Sequence, residues 1–428
     1  MPWRRPRKRV ERGGLVRSSP EERIEEAAED DEASDAVELA ALEGASLDEV
    51  ALGEPTGTAE SSLALPLAQA LKGVDLPSET TATPKARRAR APRPEIAARP
   101  TSRYPIGSLA IDDVDLRVRI GSLELRNPVM PASGCFGWGL DYAELFDPAL
   151  LGAIVTKGTT PKKRPGNPQY RIAETPSGIL NSIGLENPGA EGVARSYAKQ
   201  WRDIGAPVIV NVAGYSIEDY VFVVRTLADV PGVAAFELNI SCPNVDGGML
   251  FGTDPLLAAQ VTEAVKAETD LPVIVKLTPN APDVVAVAMA IESAGADALT
   301  CINTMLGMRI DVRRRRPILG TRSGGLSGPA VRPIAVHLTY QVAQRVSIPI
   351  IGAGGVTSTE DALEFLMAGA SAVQIGTATF ADPLAPVRCL EGLAAHVRDA
   401  RLASIREVIG VALPPKPSSE PDTEYRAE

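Results

Sequence analysis

Eight short apolar runs recur at regular intervals between residues 128 and 378, and each run is closed by small or polar residues. The runs are rich in β-branched residues and do not alternate with polar ones, which is typical of strands buried on both faces of a parallel sheet. Amphipathic stretches such as 254–269 and 282–296 lie between most of them and predict helices. The runs are PVMPAS (128–133), AIVTKGT (153–159), PVIVNVAG (207–214), AAFELNISC (234–242), PVIVKLTP (272–279), ALTCINT (298–304), PIIGAGG (349–355) and AVQIGTA (372–378).

Buried strands that alternate with helices predict an α/β protein with a closed (β/α)8 barrel of the TIM barrel type. An open doubly wound sheet is the alternative, and it is weakened because no G-x-G-x-x-G motif follows the first run. We predict three parts: an N-terminal extension at 1–105, the barrel at 106–405 and a C-terminal tail at 406–428.

The N-terminal extension differs from the rest of the chain in its charge pattern. Its net charge is +6 over residues 1–20, −14 over 21–60 and +6 over 85–103, with almost no aromatic residues. Such segments bury too little apolar surface to offset the entropy lost on ordering, so this pattern predicts disorder. A solubilising tail is the simpler interpretation, and a docking arm for an acidic partner or RNA is the alternative.

Composition excludes several classes of protein. The net charge of −10 argues against a protein that coats nucleic acid, and the two histidines nearly exclude a multi-histidine metal site or a histidine-centred triad. The four cysteines lack C-x-x-C spacing, which predicts neither disulfides nor cluster ligands and suits a reducing cytoplasm. We expect no metal, no signal peptide and no membrane-spanning segment, because polar sequence follows the basic N-terminus and no apolar stretch is long enough.

Polar or glycine residues stand at the carboxyl ends of all eight runs. In a barrel these ends open on one face, which holds the active site. Lysines and asparagines there favour a planar, anionic ligand that forms hydrogen bonds. An unpaired buried ammonium is costly, so Lys157 and Lys276 are expected to meet an anion or an electron-rich ring. The residues are Ser133, Lys157, Asn211, Asn239, Cys242, Lys276, Asn303, Thr304, Gly354, Gly355, Gly376 and Thr377.

The last two runs end in Gly354-Gly355 and Gly376-Thr377. Loops after the seventh and eighth strands form the recurrent phosphate site of such barrels, and residues 357–360 predict a capping box that begins the next helix. Ordinary turn chemistry would explain either glycine pair alone. The two pairs together favour a phosphate site.

Cys242 lies between Ser241 and Pro243, at the start of a glycine-containing loop, rather than inside an apolar run. A thiolate there is able to act as a general base or a nucleophile, and the lack of a nearby histidine argues against a Cys–His nucleophile. Spacing alone leaves a catalytic role and a packing role equally open. The other cysteines, Cys135, Cys301 and Cys389, are expected to pack, with Cys135 close enough to the mouth to touch a cofactor.

Motifs across residues 112–405 together resemble the dihydroorotate dehydrogenase family. The resemblance implies a (β/α)8 barrel that binds FMN at its mouth and oxidises dihydroorotate to orotate in pyrimidine biosynthesis. The motifs are ASGCFGWG (132–139), KGTT (157–160), RPGNPQYRIAETPSGILNSIGLENPG (164–189), NVAG (211–214), ELNISCPNVDGG (237–248), VKLTP (275–279), INT (302–304), SGGLSGPA (323–330), GAGGV (352–356) and IGTA (375–378).

The resemblance also implies a role for each matching residue. Cys242 matches the base that removes the C5 proton, and a cysteine at this position is similar to the soluble branch of the family. The substrate set implied is Lys157, Asn181, Ser182, Ile183, Gly184, Leu185, Asn239, Asn244, Asn303 and Thr304. The FMN set implied is Ser133, Lys157, Gly158, Asn211, Asn239, Lys276, Ile302, Gly328, Gly354, Gly355, Gly376 and Thr377.

The sequence most resembles the NAD-linked type, class 1B. This type implies a homodimer of barrels joined to an electron-transfer subunit that carries FAD and a [2Fe–2S] cluster. This chain has neither clustered cysteines nor a dinucleotide motif, so these two cofactors are expected on the partner subunit. The alternatives are a fumarate-linked homodimer, a barrel similar to dihydropyrimidine dehydrogenase, and a non-enzymatic flavin-binding or scaffold barrel. The N-terminal extension departs from the family pattern and receives no role.

Overall fold

The computed structural model describes residues 109–241 and 251–415. The predictions for the extension at 1–105, for Cys242 and for Asn244 therefore lie outside the described residues, as do the last thirteen positions of the tail, 416–428. In the described ranges, no helix combines the length and the apolar character needed to cross a membrane.

Eight parallel strands form the central sheet, and each overlaps one of the predicted apolar runs. Hydrogen-bonded neighbours follow the order β1-β8-β7-β6-β5-β4-β3-β2, and the backbone N–H of Gly152 donates to the Val129 carbonyl at 2.8 Å across the remaining gap. The sheet is thus a nearly closed barrel, and the (β/α)8 prediction is confirmed. The strands are β1 (Val129–Pro131), β2 (Ile154–Val155), β3 (Val208–Val212), β4 (Val233–Asn239), β5 (Val273–Lys276), β6 (Ala298–Cys301), β7 (Ile350–Ala353) and β8 (Ala372–Ile375).

Helices surround this sheet, and four of the eight in the described ranges begin at a polar side-chain cap. The side chains of Ser216, Asp254, Asp283 and Ser358 each accept a hydrogen bond from a backbone N–H of the first helical turn. The capping box predicted at 357–360 is present, but the reciprocal side chain belongs to Asp361. The helices are α1 (Ala190–Asp203), α2 (Ile217–Leu227), α3 (Pro255–Lys266), α4 (Val284–Ser293), α5 (Arg332–Ala343), α6 (Thr359–Met367), α7 (Ala378–Ala381) and α8 (Ala385–Asp399).

The connection from β1 to β2 contains only a short 3-10 helix, Pro148–Leu150, in place of an α-helix. Two long insertions, after β2 and after β6, instead build a four-stranded antiparallel sheet from Ile172–Thr175, Gly178–Asn181, Ser323–Ser327 and Met305–Met308. Ala173, Leu180 and Leu319 form a small separate core beneath it. Register places Asn181 opposite Gly325, so both insertions contribute to the same part of the sheet.

Three short segments complete the described structure. A hairpin of Val118–Ile120 and Leu123–Leu125 precedes the barrel. A second hairpin, Ile310–Asp311 with Arg316–Pro317, presents the exposed arginines of the 313–316 run. After α8, the 3-10 helix Ile405–Val408 buries both of its end residues, so packed structure continues past residue 405.

Candidate active site

A fully buried carboxylate, Glu237, lies in β4 inside the barrel. It accepts hydrogen bonds from Asn211 Nδ2 at 2.7 Å, from Thr300 Oγ1 at 2.8 Å and from Gln374 Nε2. The ammonium of Lys276 lies 3.7 Å from Glu237 Oε1. Every one of these neighbours is able to donate a hydrogen bond, which suits an ionised carboxylate when it is buried.

Lys276, at the end of β5, is buried as expected, but its charged partner is the side chain of Glu237 rather than a ligand. Its Nζ donates to Gln374 Oε1 at 3.0 Å and to Ser133 Oγ at 3.3 Å, beside the Glu237 carboxylate. Sequence reasoning missed Glu237, Thr300 and Gln374. The available signal was the presence of Glu237 and Gln374 within apolar runs that do not alternate, because a charged or amide side chain must find partners when it is buried.

Asn211, in β3, carries a buried acceptor with no partner among the described residues, its Oδ1. A Cβ on Gly158 would lie 3.1 Å from this oxygen and 3.2 Å from Leu185 Cδ2, so the end of β2, strand β3 and the 181–185 segment meet here. The Oγ of Ser182 is a second buried atom without a described partner. Buried polar atoms left unpaired cost free energy, so both atoms fit contact with a bound ligand.

The loops after β6, β7 and β8 meet at a cradle formed by Gly328, Gly355 and Thr377. A Cβ on Gly355 would lie 2.8 Å from the Gly328 carbonyl oxygen, and one on Gly328 would lie 3.5 Å from Thr377 Cγ2. Both glycines have positive φ, +97° at Gly328 and +78° at Gly355. Within the described ranges no acceptor pairs with the backbone N–H of Gly355 or Thr377. Free N–H groups beside glycines suit a phosphate.

The other predicted residues of this region are held by close packing. A Cβ on Gly354 would lie 2.9 Å from Ala335 Cβ and 3.7 Å from Ile302 Cγ1. One on Gly376 would lie 3.1 Å from Ala132 Cβ and 3.2 Å from Cys135 Sγ. A side chain at either position would therefore crowd its neighbours.

The mouth asparagines lie together. Asn303 Nδ2 donates to Asn239 Oδ1 at 3.0 Å, and Asn303 Oδ1 accepts from the Thr304 backbone N–H at 2.8 Å. A Cβ on Gly325 would lie 2.1 Å from Thr304 Oγ1, and the Gly325 carbonyl accepts from Asn181 Nδ2 at 3.2 Å. Asn181, Asn239, Asn303 and Thr304 therefore form one polar group beneath the antiparallel sheet.

Segment 181–185 is fixed by polar contacts from the rest of its insertion. Asn167 donates from its backbone to the Ile183 carbonyl at 3.0 Å and from Nδ2 to the Ser182 carbonyl at 3.2 Å. Asn187 Nδ2 donates to the Leu185 carbonyl at 2.7 Å. The segment is thus held in position before a ligand arrives, as a binding loop requires.

Lys157 lies two residues after β2 and is half-buried, with its backbone N–H donating to the Gly137 carbonyl at 2.9 Å. In contrast to Lys276, its ammonium forms no hydrogen bond or ion pair with any residue of the described ranges. Lys157 is accordingly the cation of the site that is available to an anionic ligand.

Burial raises the pKa of the three described cysteine thiols, to about 11 for Cys135 and about 12 for Cys301 and Cys389. At pH 8 each of them is therefore protonated, with about one thiolate in a thousand or fewer. We expect iodoacetamide at pH 8 to alkylate Cys242 and to spare these three in the folded protein. Peptide mass spectrometry after a time course measures this, and labelling of Cys389 ahead of Cys242 would contradict it.

The structure therefore places most of the predicted site residues at one end of a parallel barrel. The glycine cradle, the unpaired buried acceptor and the free lysine are features of one class of protein: a TIM barrel with a polar ligand site at the carboxyl ends of its strands.

Comparison with known proteins agrees with this class. A family model for dihydroorotate dehydrogenase matches residues 115–397. The chain is 53% identical over 296 residues to the dihydroorotate dehydrogenase B (NAD(+)), catalytic subunit, of Geobacillus kaustophilus (strain HTA426), covering 69% of this chain and 95% of that protein. It is 53% identical over 279 residues to the protein of the same name from Fusobacterium nucleatum subsp. nucleatum, covering 65% and 92%. The match to the Bacillus cytotoxicus protein of that name is 51% over 296 residues, covering 69% and 96%.

The chain belongs to the dihydroorotate dehydrogenase family of oxidoreductases. The predicted resemblance is thereby confirmed, including its closeness to the NAD-linked type.

Proposed function

We propose that this protein oxidises (S)-dihydroorotate to orotate at the barrel mouth with bound FMN, as the catalytic subunit of an NAD-linked enzyme of pyrimidine biosynthesis. The observation that carries the proposal is the buried Oδ1 of Asn211, which has no partner among the described residues and lies beside Gly158 in a chain of this family. We place the enzyme in the cytoplasm.

FMN would be held by residues that lie at or after the carboxyl ends of all eight strands, and when bound it would supply the acceptor for the hydride that leaves C6 of the substrate. The cradle of Gly328, Gly355 and Thr377 receives the phosphate through its free N–H groups. Asn211 Oδ1 accepts from a ring N–H, and Lys276 supplies the buried cation. The proposed set is Ser133, Lys157, Gly158, Asn211, Asn239, Lys276, Ile302, Gly328, Gly354, Gly355, Gly376 and Thr377.

The substrate is held by the polar group under the antiparallel sheet. Asn181, Asn239 and Asn303 offer amide donors and acceptors that complement the two ring amides of dihydroorotate. Lys157 and the backbone of 182–185 receive the carboxylate, because this lysine is the free cation among the described site residues. Thr304 and Asn244 complete the proposed substrate set.

Cys242 acts as the general base. Its thiolate takes the proton from C5, the C6 hydrogen leaves with its electron pair as hydride, and the C5=C6 double bond of orotate forms. The C5–H lies next to a carbonyl, which makes it acidic enough for a thiolate to remove. In the sequence, Cys242 follows Asn239, the last residue of β4, by three positions, and the carboxyl ends of the strands form the active site of such barrels.

The electrons leave through a partner. We propose that two barrel subunits join an electron-transfer subunit carrying FAD and a [2Fe–2S] cluster. The name "catalytic subunit" of the relatives supports a separate partner.

Steady-state orotate formation tests both the reaction and the acceptor. The isolated chain is expected to form orotate with an artificial electron-accepting dye, and to reduce NAD+ only after the electron-transfer subunit is added. Fumarate should support no turnover. Fumarate reduction by the isolated chain would assign it instead to the fumarate-linked type, and no orotate with any acceptor would contradict the proposed reaction.

A further inference from the structure

We propose that Glu237 is a positioning residue that sets the charge and the hydrogen-bonding direction of the two groups offered to the cofactor, Lys276 and Asn211. The inference rests on the proposed binding of FMN at the mouth. It deepens that proposal by assigning the electrostatic control of the site to a residue that holds neither substrate nor cofactor.

The charge state of Glu237 follows from its neighbours. Gln374 accepts from Lys276 through Oε1 at 3.0 Å, so its Nε2 must be the atom that faces the carboxylate. Asn211 Nδ2 and Thr300 Oγ1 supply two further donors. The Lys276 ammonium and the amide N–H groups of Asn211 and Gln374 are able only to donate to this carboxyl, and the Thr300 hydroxyl is able to do so, so the arrangement favours the ionised form.

The carboxylate also fixes the orientation of Asn211. Because Glu237 only accepts, the asparagine must turn Nδ2 towards it, at 2.7 Å. Its Oδ1 consequently points to the Gly158 side of the site, where it is buried and has no described partner. An acceptor is therefore presented to the cofactor, and a neutral amide at position 237 would permit either orientation.

The same carboxylate partly neutralises Lys276. The ammonium lies 3.7 Å from Glu237 Oε1, and both groups are almost entirely shielded from water, so the pair presents little net charge. Reduction of a flavin near neutral pH adds negative charge to its ring, and an uncompensated ammonium would stabilise that charge strongly. Glu237 thus limits how strongly Lys276 stabilises the reduced flavin relative to the oxidised flavin. The reduced flavin is then still able to pass its electrons to an acceptor of low reduction potential.

Sulfite binding to the flavin-loaded enzyme measures this effect without turnover. Sulfite adds to oxidised flavin, bleaches its visible absorbance and leaves negative charge on the ring. Glu237→Gln removes the compensating charge, so the sulfite dissociation constant is expected to fall at least about tenfold and the midpoint potential to rise. Thr300→Val is the matched control, since it removes a donor from the same network without changing charge. Its dissociation constant should stay within about threefold of the wild-type value.

A second comparison does not depend on the folding of the single Glu237 variant. Lys276→Gln leaves the carboxylate uncompensated and should weaken sulfite binding, and adding Glu237→Gln to it should restore binding by at least about tenfold. Dissociation constants that change less than about threefold in both comparisons, in variants that retain flavin, would overturn the inference. A wild-type protein that binds no flavin would contradict the proposed function instead.

Discussion

Replacement of Cys242 by alanine is expected to leave FMN bound and to lower the rate of orotate formation by about 10² to 10⁴-fold. Alanine has no group that takes the C5 proton, whereas Cys242 is not among the residues proposed to hold FMN, whose phosphate is assigned to the cradle at Gly328, Gly355 and Thr377. Visible absorbance measures the retained flavin, and stopped-flow reduction by dihydroorotate measures the rate of the chemical step.

Serine at position 242 should give a slower enzyme whose rate rises towards higher pH, because an alcohol yields its proton less readily than a thiol. Cys389→Ala is the matched control: it also removes a thiol, but from a buried position in α8 whose pKa is raised to about 12. The control should reduce its flavin at the wild-type rate. Wild-type rates in Cys242→Ala would remove this residue from the mechanism.

Replacement of Gly355 by alanine is expected to weaken FMN binding by about tenfold to a hundredfold, through loss of charge-assisted contacts to the phosphate. The new Cβ would lie 2.8 Å from both the Gly328 carbonyl oxygen and Arg332 Cβ, so the cradle must open to receive it. Fluorescence titration of the apoprotein with FMN measures the dissociation constant.

Gly295→Ala separates this effect from backbone strain. Gly295 has a similar φ of +87°, but a Cβ there would meet nothing within 4 Å. Alanine in the left-handed conformation costs about 1–2 kcal/mol at either position, so both variants should lose stability in thermal unfolding, and the Gly355 variant should lose more because its Cβ also meets the cradle. Only the Gly355 variant should lose FMN affinity. Equal FMN affinity in the two variants would show that the cradle does not hold the phosphate.

The barrel was predictable because its signal is local. Each of β1–β8 overlaps one of the eight apolar runs, with β4 beginning one residue before its run, and polar caps such as Asp254 and Asp283 stand just before their helices. Burial on both faces leaves the same pattern in every strand of a parallel sheet, so the fold class follows from repetition.

The antiparallel sheet was not predicted because its pairing joins distant parts of the chain. Asn181 pairs with Gly325 across two separate insertions, and neither strand alone shows a long alternating pattern. Register of this kind is set by tertiary packing, here over Ala173, Leu180 and Leu319.

The site was predictable at the strand ends but not in the barrel interior. Position at the carboxyl end of a strand marked Asn211, Lys276 and Thr377 as site residues. Nothing in the local sequence shows that Glu237 and Gln374 meet, since they are brought together from β4 and β8 by closure of the barrel. The electrostatics of Lys276 therefore depend on a partner that only the structure identifies.

The central claim is that this barrel binds flavin and takes a hydride from dihydroorotate, and anaerobic titration of the purified wild-type protein tests it most directly. We predict a yellow protein whose visible absorbance bleaches as dihydroorotate is added, with one orotate formed per flavin reduced. A protein whose bound flavin stays oxidised in excess dihydroorotate would contradict the account.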